Sequence, residues 1–78
     1  MRIVELFGEK WIECDQFLQN RITNEIIESK SLIKLSSISG IESAGHDEQV
    51  GETCNIFSGN YQYNVAYSYE EVYNFLKK

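Results

Sequence analysis

Apolar and polar positions alternate along this chain with two periods, and each period marks an element. In "YQYNVAY" (61–67), Tyr61, Tyr63, Val65 and Tyr67 fall on one side of an extended chain, and Gln62, Asn64 and Ala66 on the other. "TCNIF" (53–57) precedes this run across Ser58-Gly59-Asn60. A two-residue turn, either Ser58-Gly59 or Gly59-Asn60, sets Cys54 and Ile56 opposite odd-numbered residues of 61–65. A three-residue turn sets them opposite Gln62 and Asn64. The apolar pattern selects the two-residue hairpin, and Gly59-Asn60 suits a type II′ turn.

At Ser68 the period becomes helical. Ser68 and Glu71 form an S-x-x-E capping box, and Tyr67 and Val72 are placed for a hydrophobic staple. Glu70 and Glu71 stand at the positive end of the predicted helix, and Lys77 and Lys78 at the negative end. Tyr69, Val72, Tyr73 and Leu76 share one face, with Phe75 beside it, and this face is expected to lie on the hairpin. All five tyrosines of the chain lie in 58–78. Tyr61, Tyr63, Tyr67 and Tyr69 are expected at the junction of sheet and helix, as core more than as contact surface. The same amphipathic rings also resemble the anchors of protein interfaces.

Upstream, "RIVELF" (2–7) reads as a strand, with "KWIEC" (10–14) as its partner across Gly8-Glu9, although their apolar parities do not give one clean face. Trp11, beside Ile12 and near Phe7, is expected in the core. In 15–29, Leu18, Ile22 and Ile26 recur at i, i+4 and i+8, with Asp15 as N-cap, which predicts a helix. Thr23 and Asn24 are poor helix formers, so an extended "RITNEIIE" stays open. "SLIKLSSISGIESAG" predicts a strand at 31–35, a tight turn through Ser36-Ser37 and a strand at 38–44, with "GHDEQVG" as an exposed loop. The expected class is α+β. One domain, 1–78, would hold a small, mostly antiparallel sheet, a C-terminal helix packed on it and a helix near residues 15–29.

Length sharpens this picture. A chain of 78 residues buries only about 60–65% of its unfolded surface, so disulfides, metal or oligomerisation usually support the core. "MRIVELFGEKW" places a glycine and charges where a secretory apolar region would lie, which leads us to expect a cytoplasmic protein with Cys14 and Cys54 reduced. No apolar run approaches the roughly 20 residues that span a bilayer, so no membrane partner is expected. Homo-oligomerisation, or a core rich in aromatics, is left.

The net charge of −5 is unevenly placed. Residues 35–76 carry Glu42, Asp47, Glu48, Glu52, Glu70 and Glu71 and no Lys or Arg. Nucleic acid is recognised through clustered Lys and Arg, so direct nucleic-acid binding is not expected. A surface that meets a basic partner fits better, and plain solubility explains the same acids.

Candidate chemistry is sparse. There is no G-x-x-x-x-G-K, G-x-G-x-x-G or C-x-x-C motif. Cys54 falls on the inward parity of its strand, whereas Cys14 would precede a helix start, where the dipole favours a thiolate. His46 is the only histidine. Asp47-Glu48 falls in the predicted loop, and capping explains Glu70-Glu71. Neither an enzyme, a metal site nor a cofactor is expected.

"LIKLSSISGIES", then "FSGNYQYNV", then "SYEEVYNFLKK" resembles small uncharacterised proteins of bacteriophage genomes and mobile elements, over about the last half of the chain. The resemblance identifies no site. It implies a phage-type setting in which small acidic proteins bind and disable a host factor. The expected function is a non-catalytic acidic protein that binds and inhibits a host protein, through Asp47, Glu48, Glu52, Tyr61 and Tyr63. Two alternatives are an oligomeric nucleotide-signal sponge using Arg2, Arg21 and Tyr73, and a self-assembling structural subunit.

Overall fold

The computed structural model describes residues 1–20 and 22–77. Among the described residues, six strands, β1 (Arg2–Leu6), β2 (Glu9–Asn20), β3 (Glu25–Lys34), β4 (Ile38–Asp47), β5 (Gly51–Ser58) and β6 (Tyr61–Val65), precede one helix, α1 (Tyr69–Lys77). All the strand pairings are antiparallel, in the order β1-β2-β6-β5-β4, and β3 also pairs with β2. The small antiparallel sheet with a C-terminal helix agrees with the expected α+β class.

Each turn follows its local chemistry. β5 and β6 pair Cys54 with Val65, Ile56 with Tyr63 and Ser58 with Tyr61, which is the two-residue hairpin across Gly59-Asn60. Gly59 has φ +60° and Asn60 is not left-handed, as a type II′ turn requires. The β1–β2 turn is Phe7-Gly8, one residue earlier than Gly8-Glu9, because Leu6 pairs with Glu9. Phe7 (φ 55°) and Gly8 (φ 73°) are both left-handed, as in a type I′ turn. Ser36-Ser37 lies in a 3-10 turn, Leu35–Ser37, closed by the Ser37 hydroxyl donating to the Lys34 carbonyl (2.8 Å). "GHDEQVG" is no free loop: β4 continues to Asp47, which pairs with Gly51 across a tight turn.

The helix expected at 15–29 is absent. Residues 11–20 of β2 pair without interruption with 25–34 of β3, and Asp15 lies opposite Lys30 rather than at an N-cap. Turn chemistry overrides the helical stripe here. The Asn20 carboxamide oxygen accepts from the Ile22 amide at 3.0 Å, its carbonyl accepts from the Asn24 amide at 2.7 Å, and Asn24 is left-handed (φ 61°). Asn is among the few residues that adopt this conformation at low cost.

The core consists of Ile12, Cys14, Ile33, Cys54, Ile56, Val65 and Val72, with Met1, Ile38, Ile41, Tyr63, Tyr67, Phe75 and Leu76 packed around them. The predicted capping box is present. The Glu71 amide donates to the Ser68 hydroxyl at 3.1 Å, and the Ser68 amide donates to the Glu71 carboxylate at 3.3 Å. The inward face of α1 is Val72, Phe75 and Leu76, while Tyr69 and Tyr73 are exposed. The helix is thus rotated from the expected face, and the phenol rings take the wet side because their hydroxyls keep water there. Leu76 borders one cavity with β4 residues Ile38 and Ile41 and another with Ile3 and Lys10 of β1 and β2. The sheet therefore curls so that its first and last strands meet the same helix. Trp11 stays outside the core, on the other sheet face, half-buried, with its indole N–H donating to the Leu6 carbonyl (3.1 Å).

Candidate functional site

The acids and tyrosines expected to form one partner surface are separated by the fold. Asp47, Glu48 and Glu52 surround the β4–β5 turn, whereas Tyr61 and Tyr63 stand beside the β5–β6 turn. Glu52 and Ser58, the residue opposite Tyr61, are roughly 20 Å apart along β5. Asp47 also closes its turn, since its carboxylate accepts from the Gln49 amide (2.7 Å) and the Val50 amide (3.2 Å). Glu48 is exposed and Glu52 faces the His46 Nδ1 at 3.5 Å, with both side chains more than half exposed. These two acids are the available charges of that end.

Tyr61 stacks on Tyr63 with ring centroids 5.4 Å apart, and Tyr69 on Tyr73 at 6.2 Å. Tyr63 and Tyr67 pack partly on the core; Tyr61, Tyr69 and Tyr73 are exposed. The expectation that the tyrosines are mainly core is thus corrected. A shallow, curled sheet buries aliphatic side chains first and leaves the larger rings at its rim.

The alternative ligand residues do not converge either. Arg2 is held by Glu13 at 2.8 Å, and this ion pair sets the Glu13 carboxyl below its usual range. Tyr73 belongs to an open groove of about 350 Å³ between α1 and β4, lined by Ile38, Gly40, Ile41, Leu76 and Lys77. The Lys77 ammonium lies 5.9 Å from the Tyr73 ring centre. Arg2 borders a different cavity, with Glu13, Asp15 and Lys30. Arg21 lies outside the described residues.

Both thiols are free and buried, and burial pushes both up from the ordinary thiol value. Cys14 sits inside β2, not before a helix, so no dipole favours its thiolate. Tyr67 is likewise pushed up by burial. Among the described residues, no three His, Cys, Asp or Glu side chains gather where a metal ion could be held.

One feature was hidden from sequence reasoning by the mistaken helix. Among the described residues, beyond Gln16, where β6 pairs, β2 pairs only with β3, so residues 17–20 and 25–28 form a two-stranded arm. The molecule measures 41 × 23 × 22 Å. Leu18 and Ile27 face each other across the arm, 56% and 53% exposed, and Ile22 at its tip is 95% exposed. At the far end of β2, Phe7 is 92% exposed in its left-handed turn position. A bulky aromatic costs about 1–2 kcal/mol there. The Asn20–Asn24 spacing was the signal available in the sequence for the arm; nothing in the sequence pattern marked Phe7.

No family model, no curated protein and no solved structure matches this chain.

Proposed function

We propose that this chain is a non-catalytic binding protein that attaches to a host protein and inhibits it, in the phage-type setting that its resemblance implies. One observation carries the reading: Leu18, Ile22 and Ile27 stand exposed on an arm that, among the described residues, no other strand of the sheet supports. A two-stranded ribbon is marginal in water by itself, and exposed apolar groups grouped on one element mark contact sites. A partner that covers the arm removes these groups from water and fixes the ribbon. Glu48 and Glu52 then act at a distance. They belong to a stretch, 35–76, with six acids and no Lys or Arg, so a partner with a basic surface is drawn in before the arm seats.

The test begins with capture from host lysate by the full chain and by an Ile22→Ser, Leu18→Ser variant whose melting is checked. The captured protein is then purified and its binding kinetics are measured. Loss of binding in the arm variant, with its fold intact, is the expected result. Charge reversal at Glu48 and Glu52 should slow association and flatten its salt dependence, since exposed charges are screened within about 8–10 Å. Binding that ignores both sets of substitutions would refute the reading.

A further inference from the structure

The sheet has one long, regular free edge, and its sequence complements itself. Among the described residues β3 pairs only with β2, which leaves the other side of Glu25–Lys34 open. The β2–β3 register runs from Asn20-Glu25 to Trp11-Lys34 without a shift. The other edges are built differently. β4 is broken by register shifts at Ile38/Gly40 and Ser43/Gly45, and β1 is a short Arg2–Leu6. Bulges and shortness are the usual protections of an edge, and β3 has neither.

We propose that β3 pairs antiparallel with β3 of a second copy of this chain, about a two-fold axis beside Ser29. Such an axis stands perpendicular to the sheet, so the residue beside it faces itself. With Ser29 at the axis, Glu28 of each copy faces Lys30 of the other. Ile26 faces Leu32, and Ile27 faces Ser31. The pairing therefore makes two opposite-charge pairs and two apolar pairs by symmetry. Leu32 is 42% exposed and Ile27 53%, so the pairing covers apolar groups that now meet water. Moving the axis by one residue sets Lys30 against Lys30, or Glu28 against Glu28. Like charges directly opposite are unfavourable in a sheet, so both neighbouring registers are disfavoured relative to the one about Ser29. The charges on this edge repel or ignore a generic strand and admit a copy of itself. The dimer takes Ile27 out of the arm surface offered to a partner and leaves Leu18 and the Ile22 tip outside the new seam; it does not rest on the partner-binding reading above.

Ser29→Cys tests the register. Directly opposed residues have Cα atoms about 4.5–5.5 Å apart, within disulfide reach. Mild oxidation should link Ser29→Cys into a dimer quickly, whereas Ser31→Cys, which faces Ile27, should link slowly. Cys14 and Cys54 are buried and provide little background. Glu28→Lys and Lys30→Glu should each weaken the wild-type dimer by about tenfold or more, since each sets like charges opposite twice. An equimolar mixture of the two should re-form a heterodimer. Lys30→Glu also faces Asp15 within its own chain, so its melting is followed; the disulfide readout is independent of it. A single-chain mass for the wild type up to millimolar concentration overturns the proposal. So does linking through Ser31→Cys as fast as through Ser29→Cys, or a mixture that stays monomeric while both variants are folded.

Discussion

Val72→Ala is the sharpest probe of how the helix meets the sheet. Val72 is 0% exposed and belongs to the core cluster. The substitution removes two methyl groups, worth about 0.8 kcal/mol each in transfer from water. The void left behind, on the order of 40 Å³, adds about 1 kcal/mol if the site cannot collapse. Alanine returns about 0.5 kcal/mol through its better helix propensity. The net cost is then about 2 kcal/mol. In a chain of 78 residues this lowers Tm by about 8–16 °C. The comparison variant is Tyr73→Ala, one residue along the helix. Tyr73 is 48% exposed and touches the rest of the protein through Tyr69, Lys77 and the β4 groove. Its truncation should cost below about 1 kcal/mol. Urea unfolding of both variants at equal m-value gives the two numbers. If Tyr73→Ala costs as much as Val72→Ala, the helix presents its tyrosine face to the sheet, and the rotation described above is wrong.

Ser68→Ala should cost about 1 kcal/mol by removing the hydroxyl that accepts from the Glu71 amide, measured in the same urea series. Phe7→Asn should raise stability by about 0.5–1 kcal/mol, since Asn-Gly is the favoured pair of a type I′ turn and tolerates φ near 55°; a lower Tm would refute the strain at Phe7. Cys14 and Cys54 are raised in the folded protein, so their contribution is fully present below the unfolded thiol value and is lost as pH rises through the folded one. Stability should therefore fall above about pH 8.5, and Cys14→Ala with Cys54→Ala should flatten that slope. In the native state both thiols should react with a disulfide reagent only as fast as the protein opens. Arg2→Ala should cost below about 1 kcal/mol, because the Arg2 side chain in the Glu13 pair is 71% exposed.

Local rules written within a few residues were legible in the sequence. The capping box at Ser68 and Glu71 binds itself, so its reading needs no knowledge of the rest of the chain. The β5–β6 register follows from apolar parity, because a one-residue slip would turn Cys54 and Ile56 away from Val65 and Tyr63. The acidic half was visible as composition, yet its grouping was not. Asp47, Glu48 and Glu52 are near Tyr61 and Tyr63 in sequence, and β5 holds them at opposite ends. The segment 15–29 carries a real helical stripe in Leu18, Ile22 and Ile26, and β3 decides against it. The choice falls to cross-strand pairing with residues that helical periodicity does not see. The helix face was settled in the same way. Val72 lies inward under both readings, but only the curled sheet, which brings Ile3, Lys10 and Ile38 to Leu76, fixes Phe75 rather than Tyr73 as its neighbour in the core. Sequence by itself determined the Ser68 cap, the Gly59-Asn60 and Ser36-Ser37 turns and the charge. Tertiary structure decided which faces are left for a partner, because exposure depends on what the rest of the chain covers.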